Sequence, residues 1–368
     1  MMIESLSLQQ FRNYKKEMLT FSPRINVLYG DNAQGKTNIL EAVNLCSTTR
    51  SHRGSKDKEM ILFGCEEAHI QMEIRKKDRS HKIDFHLKKN KAKGIAIDRV
   101  PIRKSKDLMG VSNVVFFSPE NLSIIERGPE ERRNFMDVEL CQLNPVYLYH
   151  LSKYRQVLKQ RNQLLKQISS QRELLDTLDV WDQELIQYGS YIIKERANYI
   201  EEIREDCKRI HQELTNGEEE MEIRYEPNTE VDDFEKNLLE KEQKDLYFMN
   251  TSVGPHRDDL EISCNGISLR TYGSRGQKRT AALSMKLTEI EIVQKKIGEK
   301  PILLLDDVFS ELDRNRQTFL LKRMENIQTL ITCTGLEEFI ENEMIIDKIF
   351  HIRNGNVVEE KQGGKANE

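Results

Sequence analysis

None of the six cysteines, Cys46, Cys65, Cys141, Cys207, Cys264 and Cys333, forms a C-x-x-C pair. That absence argues against a disulfide frame or a paired-cysteine zinc site, and predicts reduced thiols in a cytosolic protein. No stretch approaches the ~18 apolar residues that a membrane span requires. The N-terminus, MMIESLSLQQ, lacks the apolar core of a secretion signal. A soluble, cytoplasmic chain is therefore expected. No internal repeat or low-complexity tract is present apart from a polar tail, Lys361 to Glu368, expected to fray. There is no global excess of positive charge either: net charge is −4 and the pI is near 6.2, so nucleic-acid binding has to rest on local charge.

With 368 residues, the chain is long enough for two or three folding units, and two are expected. Charged residues make up 32% and hydrophobic ones 38%, a balance that long solvated helices produce. The charge is uneven. Between Gln71 and Lys106 stand 13 Lys or Arg against Glu73, Asp78, Asp84 and Asp98, a local +9 against −13 for the remainder. Such a surface can hold a phosphate backbone through Lys76, Lys77, Lys88, Lys89, Lys91 and Lys93. Lysines on exposed strands also protect sheet edges, and composition does not choose between the two.

The pattern predicts strands at Ile3 to Leu8, Met18 to Phe21, Asn26 to Tyr29, Ala68 to Ile74, His81 to Leu87 and Gly94 to Val100. Helical texture begins near Ser118. Leu151, Tyr154, Leu158, Leu165 and Ile168 form one stripe, and Trp181, Leu185, Tyr188, Ile192, Tyr199, Ile203, Cys207, Ile210 and Leu214 a second. Two helices of roughly 25 to 35 residues with a break near Asp176 to Asp182 would pair as an antiparallel arm, or pack as an ordinary bundle. Strands return at Leu260 to Cys264 and Gly266 to Leu269. A helix from about Arg275 to Lys296 follows, then strands at Ile302 to Leu305, Thr329 to Thr332 and Ile349 to Ile352, the last turning through Asn354-Gly355. The expected organisation is an ATPase domain made of 1–117 and 251–368, with a helical arm domain, 118–250, inserted.

Gly30, Asp31, Asn32, Ala33, Gln34, Gly35, Lys36 and Thr37 spell G-x-x-x-x-G-K-[ST] between an apolar strand and a helix-forming run. Such a loop wraps backbone N–H groups around phosphate oxygens. The helix start adds its positive dipole end, Lys36 reaches the outer phosphates, and Thr37 offers its hydroxyl to Mg²⁺. Far downstream, ILLLDD ends a buried strand in two carboxylates. Asp306 is expected in the Mg²⁺ shell, and Asp307 beside the attacking water as the catalytic carboxylate with Lys36. Ser274, Arg275, Gly276 and Gln277 open the later helix. Taken as a phosphate receptor, this turn calls for a head-to-tail dimer in which each γ-phosphate lies between the loop of one subunit and the turn of the other. Taken alone, it is also an ordinary N-cap.

These three elements resemble the ABC-type ATPase heads of Rad50 and the structural maintenance of chromosomes proteins. A narrower likeness to a DNA-repair branch of that family is carried by several blocks. They are Phe11-Arg12-Asn13-Tyr14, Phe117-Ser118-Pro119-Glu120, Gly128-Pro129 with Arg132-Arg133, Gly254 to Asp259, and Leu304 to Asp313. The resemblance implies a P-loop α/β fold formed by both chain ends around a short helical arm. It further implies bound ATP and Mg²⁺, Arg12 beside the nucleotide, Ser274, Gly276 and Gln277 acting in trans, and Ser310 to Asp313 crossing a dimer interface. It also implies DNA repair, replication and SOS-response roles, binding to gapped or junction DNA, and cooperation with RecR and RecO in loading RecA.

Two departures bear on rate. Asp307 replaces the usual Glu and is one methylene shorter, which predicts slow hydrolysis. No histidine ends the strand at Thr329 to Thr332; Thr334 either hydrogen-bonds the γ-phosphate or caps the strand. His256, inside one block, has either a catalytic or a structural role. DNA contacts are also expected from Lys153, Arg155, Lys159 and Arg161. Two other readings, a transporter ATPase subunit or a chromosome-structural protein, call for a membrane partner or for far longer coiled coils.

Overall fold

A computed structural model describes residues 1–77, 79–336 and 345–362. It divides into two compact units, Met1–Asn121 with Glu289–Glu368, and Leu122–Thr288.

The first unit contains two six-stranded sheets. One is antiparallel throughout, in the order Tyr14–Thr20, Met2–Phe11, Glu67–Arg75, Ser80–Lys88, Lys91–Ile97 and Val100–Pro101. Its strands alternate: Ala68, Ile70, Met72 and Ile74 point into the core while Glu67, His69, Gln71 and Glu73 do not, the signature of a half-buried sheet. The other sheet runs Asn356–Gln362, Lys348–Arg353, Ile25–Tyr29, Thr329–Cys333, Ile302–Asp306 and Val114–Phe117. Its four inner pairings are parallel, and Ile302–Asp306 is buried at every position, as continuous Ile-Leu-Leu-Leu requires. The helix Lys36–Thr48 contributes Ile39, Leu40, Val43 and Leu45 to the core that both sheets share.

In the second unit, helices Pro145–Ile168 and Leu178–Leu214 pair antiparallel: Asn144 reaches Glu195 at one end and Arg161 reaches Asp182 at the other. At 1.5 Å per residue the longer one extends about 55 Å. The break between them is the 3₁₀ turn Arg172–Thr177, so Trp181 already belongs to the second helix. A three-stranded sheet joins Met221–Glu226, Asp259–Cys264 and Ile267–Ser268. Met221–Glu226 escapes the sequence pattern because its short alternation is embedded in acidic residues. The second unit runs on to Thr288, past the boundary at 251 drawn from the sequence, because Asp259–Cys264 pairs with Met221–Glu226. The last six residues of the polar tail lie outside the described residues.

Buried ion networks hold this unit. Arg196 donates to Asp137, Asp258 and the Pro255 carbonyl, and Arg132 forks onto both oxygens of Asp259. Thus the Arg132-Arg133 block and the Gly254 to Asp259 block anchor each other. Arg161, expected at a DNA surface, is instead fully buried between Asp182, Asp245 and Thr251. Spacing cannot reveal this, because a charge on a helix stripe faces solvent or a buried partner with the same periodicity. Arg155 pairs with Asp137, whereas Lys159 is exposed.

Candidate nucleotide site

Ile25–Tyr29, Thr329–Cys333 and Ile302–Asp306 lie parallel and adjacent, so their carboxyl ends meet at one edge of the sheet. The phosphate loop leaves the first of these strands there. Asp31, Asn32 and Ala33 are exposed at its crown, with Ala33 at φ +65. Gly35 has φ +116, and a Cβ at that position would sit 2.6 Å from Asn13 Nδ2, so glycine is required twice over. Helix Lys36–Thr48 then begins without a side-chain cap, its first N–H groups left to whatever approaches the loop.

Lys36 Nζ donates to the Gly30 carbonyl at 2.5 Å and the Asp31 carbonyl at 2.9 Å, which folds the ammonium over the inside of the loop. Thr37 Oγ1 donates to Asp306 Oδ1 at 2.7 Å, across 269 residues of sequence. A hydroxyl and a carboxylate this close are hard oxygen donors at the separation of two neighbouring ligands of octahedral Mg²⁺. Burial raises the Asp306 carboxyl above the ordinary aspartate range, against the opposing pull of its hydrogen bonds from Thr37 and Thr332. A cation at this carboxylate would reverse that shift.

Thr332 Oγ1 donates to the same Asp306 oxygen at 2.7 Å and accepts from the Asp307 N–H at 3.0 Å. Asp307 itself has φ +51. Sequence reasoning singled out Thr334, which is exposed just beyond the strand, and missed Thr332. No local signal distinguishes the two; only strand register does.

The loop is braced from outside as well. Asn13 Nδ2 donates to the Gln34 carbonyl at 2.9 Å, the Tyr14 hydroxyl to the Gly35 carbonyl at 3.1 Å, and Asn38 Nδ2 to Asn13 Oδ1 at 2.9 Å. From the Asn354-Gly355 turn, Gly355 N–H donates to the Gln34 carbonyl and Asn354 N–H to its side-chain Oε1. Arg12, in the same block, forks onto Glu41 of the loop helix at 2.6 and 2.7 Å and also donates to Ser55 and the Glu59 carbonyl. Close by in sequence, His52 stacks on Phe116 at 4.2 Å with both ring nitrogens buried and without a hydrogen-bond partner among the described residues. Burial holds its pKa down to about 4.

The other expected residues are placed as follows. Ser274 is exposed and heads helix Arg275–Ile297, where its hydroxyl accepts from Gln277 N–H at 3.2 Å while Gln277 Oε1 accepts from Ser274 N–H at 2.9 Å. This reciprocal pair is a capping box. Beside it, Arg275 is exposed, and a Cβ on Gly276 would meet only Ser274 Oγ, at 3.9 Å. Of the Ser310 to Asp313 segment, Ser310 donates to the Asp307 carbonyl and Asp313 caps helix Arg314–Arg323.

The six lysines divide between two ends of the antiparallel sheet. Lys76 and Lys77 follow strand Glu67–Arg75, whereas Lys88, Lys89 and Lys91 surround the turn at the opposite end of Ser80–Lys88, roughly 25 Å away at 3.3 Å per residue. Lys76 donates to the Gly110 carbonyl, and Lys93 to Thr49 and Asp57. Lys88 and Lys89 pair with Glu67 and Glu66. Lys77 and Lys91 are exposed, with no ion pair among the described residues.

His256 has a hydrogen-bond partner at each ring nitrogen. Its Nε2–H donates to the Thr251 carbonyl at 3.0 Å, so Nδ1 accepts from the Tyr154 hydroxyl at 2.6 Å, and burial holds its pKa to about 4.

A phosphate loop joined to a strand-end aspartate, on a sheet closed by both chain ends, is the head of an ABC-type ATPase. The chain belongs to the family described as RecF/RecN/SMC N terminal domain, which matches residues 2–357. Within it, the repair branch is that of RecF. The chain is 56% identical over 357 residues to the DNA replication and repair protein RecF of Lachnoclostridium phytofermentans, covering 97% of this chain and 99% of that one. It is 52% identical to the protein of the same description from Agathobacter rectalis, at the same coverage. Among solved structures, a recombination mediator protein RecF bound to ATP superposes with a TM-score of 0.91 at 37% identity, over 98% of this chain and 97% of that one. The Smc head domain of Pyrococcus furiosus, at 19% identity and a TM-score of 0.58 over 98% of this chain and 96% of that one, shares the fold.

Proposed function

We propose that this chain is an ATP-dependent DNA-binding protein of recombinational repair whose dimerisation is driven by nucleotide. The observation that supports the reading is the 2.7 Å contact between Thr37 and Asp306, which joins the phosphate loop to the carboxylate proposed to hold Mg²⁺. ATP would lie along Gly30 to Thr37, with Lys36 on its outer phosphates, Thr37 and Asp306 on Mg²⁺, and Asp307 at the attacking water. Bound Mg²⁺ supplies charge neutralisation between the phosphates; orientation comes from Thr332, Asn13 and Gln34.

The second half of the site comes from a second copy. Ser274 accepts a hydrogen bond within its own capping box, so its O–H proton is left to donate outward. Gly276 supports the same conclusion. Among the described residues only Ser274 Oγ comes within 4 Å of its Cβ position, and an exposed glycine at a helix start costs up to about 1 kcal/mol relative to alanine. Close approach by a phosphate from outside is a reason to keep it. ATP thus closes a head-to-tail homodimer, the pair clamps gapped or junction DNA, and slow hydrolysis through the short Asp307 reopens it. In this role it supports RecA loading with RecR and RecO. Lys77 and Lys91 are the best placed of the six lysines to meet phosphates, because among the described residues neither makes an ion pair.

The test is mass by light scattering with a non-hydrolysable ATP analogue and Mg²⁺. Ser274→Arg should bind nucleotide and stay monomeric, and Lys36→Ala should lose nucleotide. Mixing the two should restore association, since one intact composite site remains per pair. Dimers of Ser274→Arg alone, or no rescue on mixing, would rule out the shared site.

A further inference from the structure

At the end of the long arm helix Leu178–Leu214, His211 is fully buried. Ser284 Oγ lies 2.8 Å from the Thr280 carbonyl, which takes its hydroxyl proton, and 3.0 Å from His211 Nδ1; in that arrangement the imidazole donates to Ser284 through Nδ1. A neutral ring then presents the Nε2 lone pair, and that nitrogen faces Glu219 Oε2 at 3.0 Å. Two acceptors at this distance need a cation between them. The third group at the spot is the Cys264 thiol at the end of strand Asp259–Cys264, and the donor atoms of His211, Glu219 and Cys264 all lie within 4.8 Å of one another.

We propose that His211 Nε2, Glu219 and Cys264 form a site for a borderline-soft divalent cation of the zinc class. The donor types suit a tetrahedral ion, whose bonds of about 2.0 Å to nitrogen and oxygen and 2.3 Å to sulfur set ligands about 3.3 to 3.5 Å apart, a separation reached here by small side-chain shifts. Ser284 acts as the positioning residue that selects the tautomer, as outer partners of metal-bound imidazoles do. Binding releases the Cys264 proton to solvent and leaves a thiolate on the metal. Glu219 is 21% exposed on its side chain, which leaves the fourth position to water. The turn carrying Glu219 is already fixed, because Glu220 N–H donates to Asn265 Oδ1 and Asn265 N–H to the Glu220 carbonyl, both at 2.8 Å. A bound ion would staple the base of the arm helix to the end of the central strand of the small sheet. The absence of a C-x-x-C pair pointed away from zinc, but it carries no information about three ligands brought together by tertiary contact. A thiolate and an imidazole disfavour Mg²⁺, so this site is chemically distinct from the nucleotide site.

The full chain, stripped with chelator and titrated with Co²⁺ in excess Mg²⁺, should take up one equivalent. It should develop a thiolate-to-cobalt charge-transfer band together with tetrahedral visible bands. Cys264→Ser should lose the charge-transfer band, and Ser284→Ala should weaken Co²⁺ binding about 10- to 100-fold. No band in the wild type, or a band that survives Cys264→Ser, overturns the proposal and leaves a proton as the shared cation. Should Cys264→Ser not fold, X-ray absorption of the zinc-loaded wild type decides: one sulfur ligand supports the site, and none refutes it.

Discussion

Thr332 is hydrogen-bonded to Asp306 at 2.7 Å, and through the same oxygen it accepts the Asp307 N–H. One threonine thus aims the Asp306 carboxylate and pins the backbone of the residue after it. Thr332→Val, nearly isosteric, removes both bonds. Losing them should cost about 1 to 3 kcal/mol in thermal unfolding and weaken Mg²⁺-ATP binding about tenfold by calorimetry. Unchanged nucleotide affinity would show that Asp306 needs no such support.

Gly355 has φ +69, and a Cβ there would stand 2.3 Å from the Asn13 carbonyl oxygen. Gly355→Ala should shift the turn that holds Gln34 and lower ATP affinity from a position outside the phosphate loop. Gly217→Ala is the control, since Gly217 has φ +80 with nothing within 4 Å of its Cβ position. It bears the same backbone strain of about 1 to 2 kcal/mol and should leave ATP binding alone. Equal effects on affinity would refute the brace.

Asp307→Asn keeps size and backbone while removing the carboxylate proposed to act on the attacking water. Steady-state turnover should drop by about 100-fold or more with ATP-dependent association retained. Full turnover in this variant would move the water-activating role elsewhere.

His52 and His256 are held neutral in the fold, each with a pKa near 4 against an ordinary 6.5. The unfolded chain therefore takes up more protons than the folded one as pH falls from about 6.5 to 4. Stability should decline through that window, by up to about 3 kcal/mol for each group. Denaturant midpoints measured across the range should flatten in His256→Gln. An unaltered slope would mean that His256 contributes nothing to acid sensitivity.

Much of the nucleotide site was legible because it is local. The loop from Gly30 to Thr37 needs glycines, a lysine and a threonine at set spacing, and its strand and helix carry their own periodicity. The apolar run ending at Asp306 announces a buried central strand for the same reason. Ser274 and Gln277 were readable as a helix start, and they form a capping box. Recurring blocks such as Gly254 to Asp259 could be recognised but not interpreted, since their work is done by Arg196 and Arg132, far away in sequence.

By itself, then, the sequence determined the phosphate loop and the strand-end carboxylates proposed to serve it, and that the two chain ends build one α/β unit around a helical insertion. Tertiary structure alone decided that Thr332 supports the Asp306 carboxylate, that Arg161 is buried, that the six lysines fall at two ends of a sheet, and that His211, Glu219 and Cys264 converge. The division has a physical cause. Backbone conformation and amphipathic period are set within a few residues, whereas a side chain's partner depends on strand register and helix packing, which the whole fold must settle first.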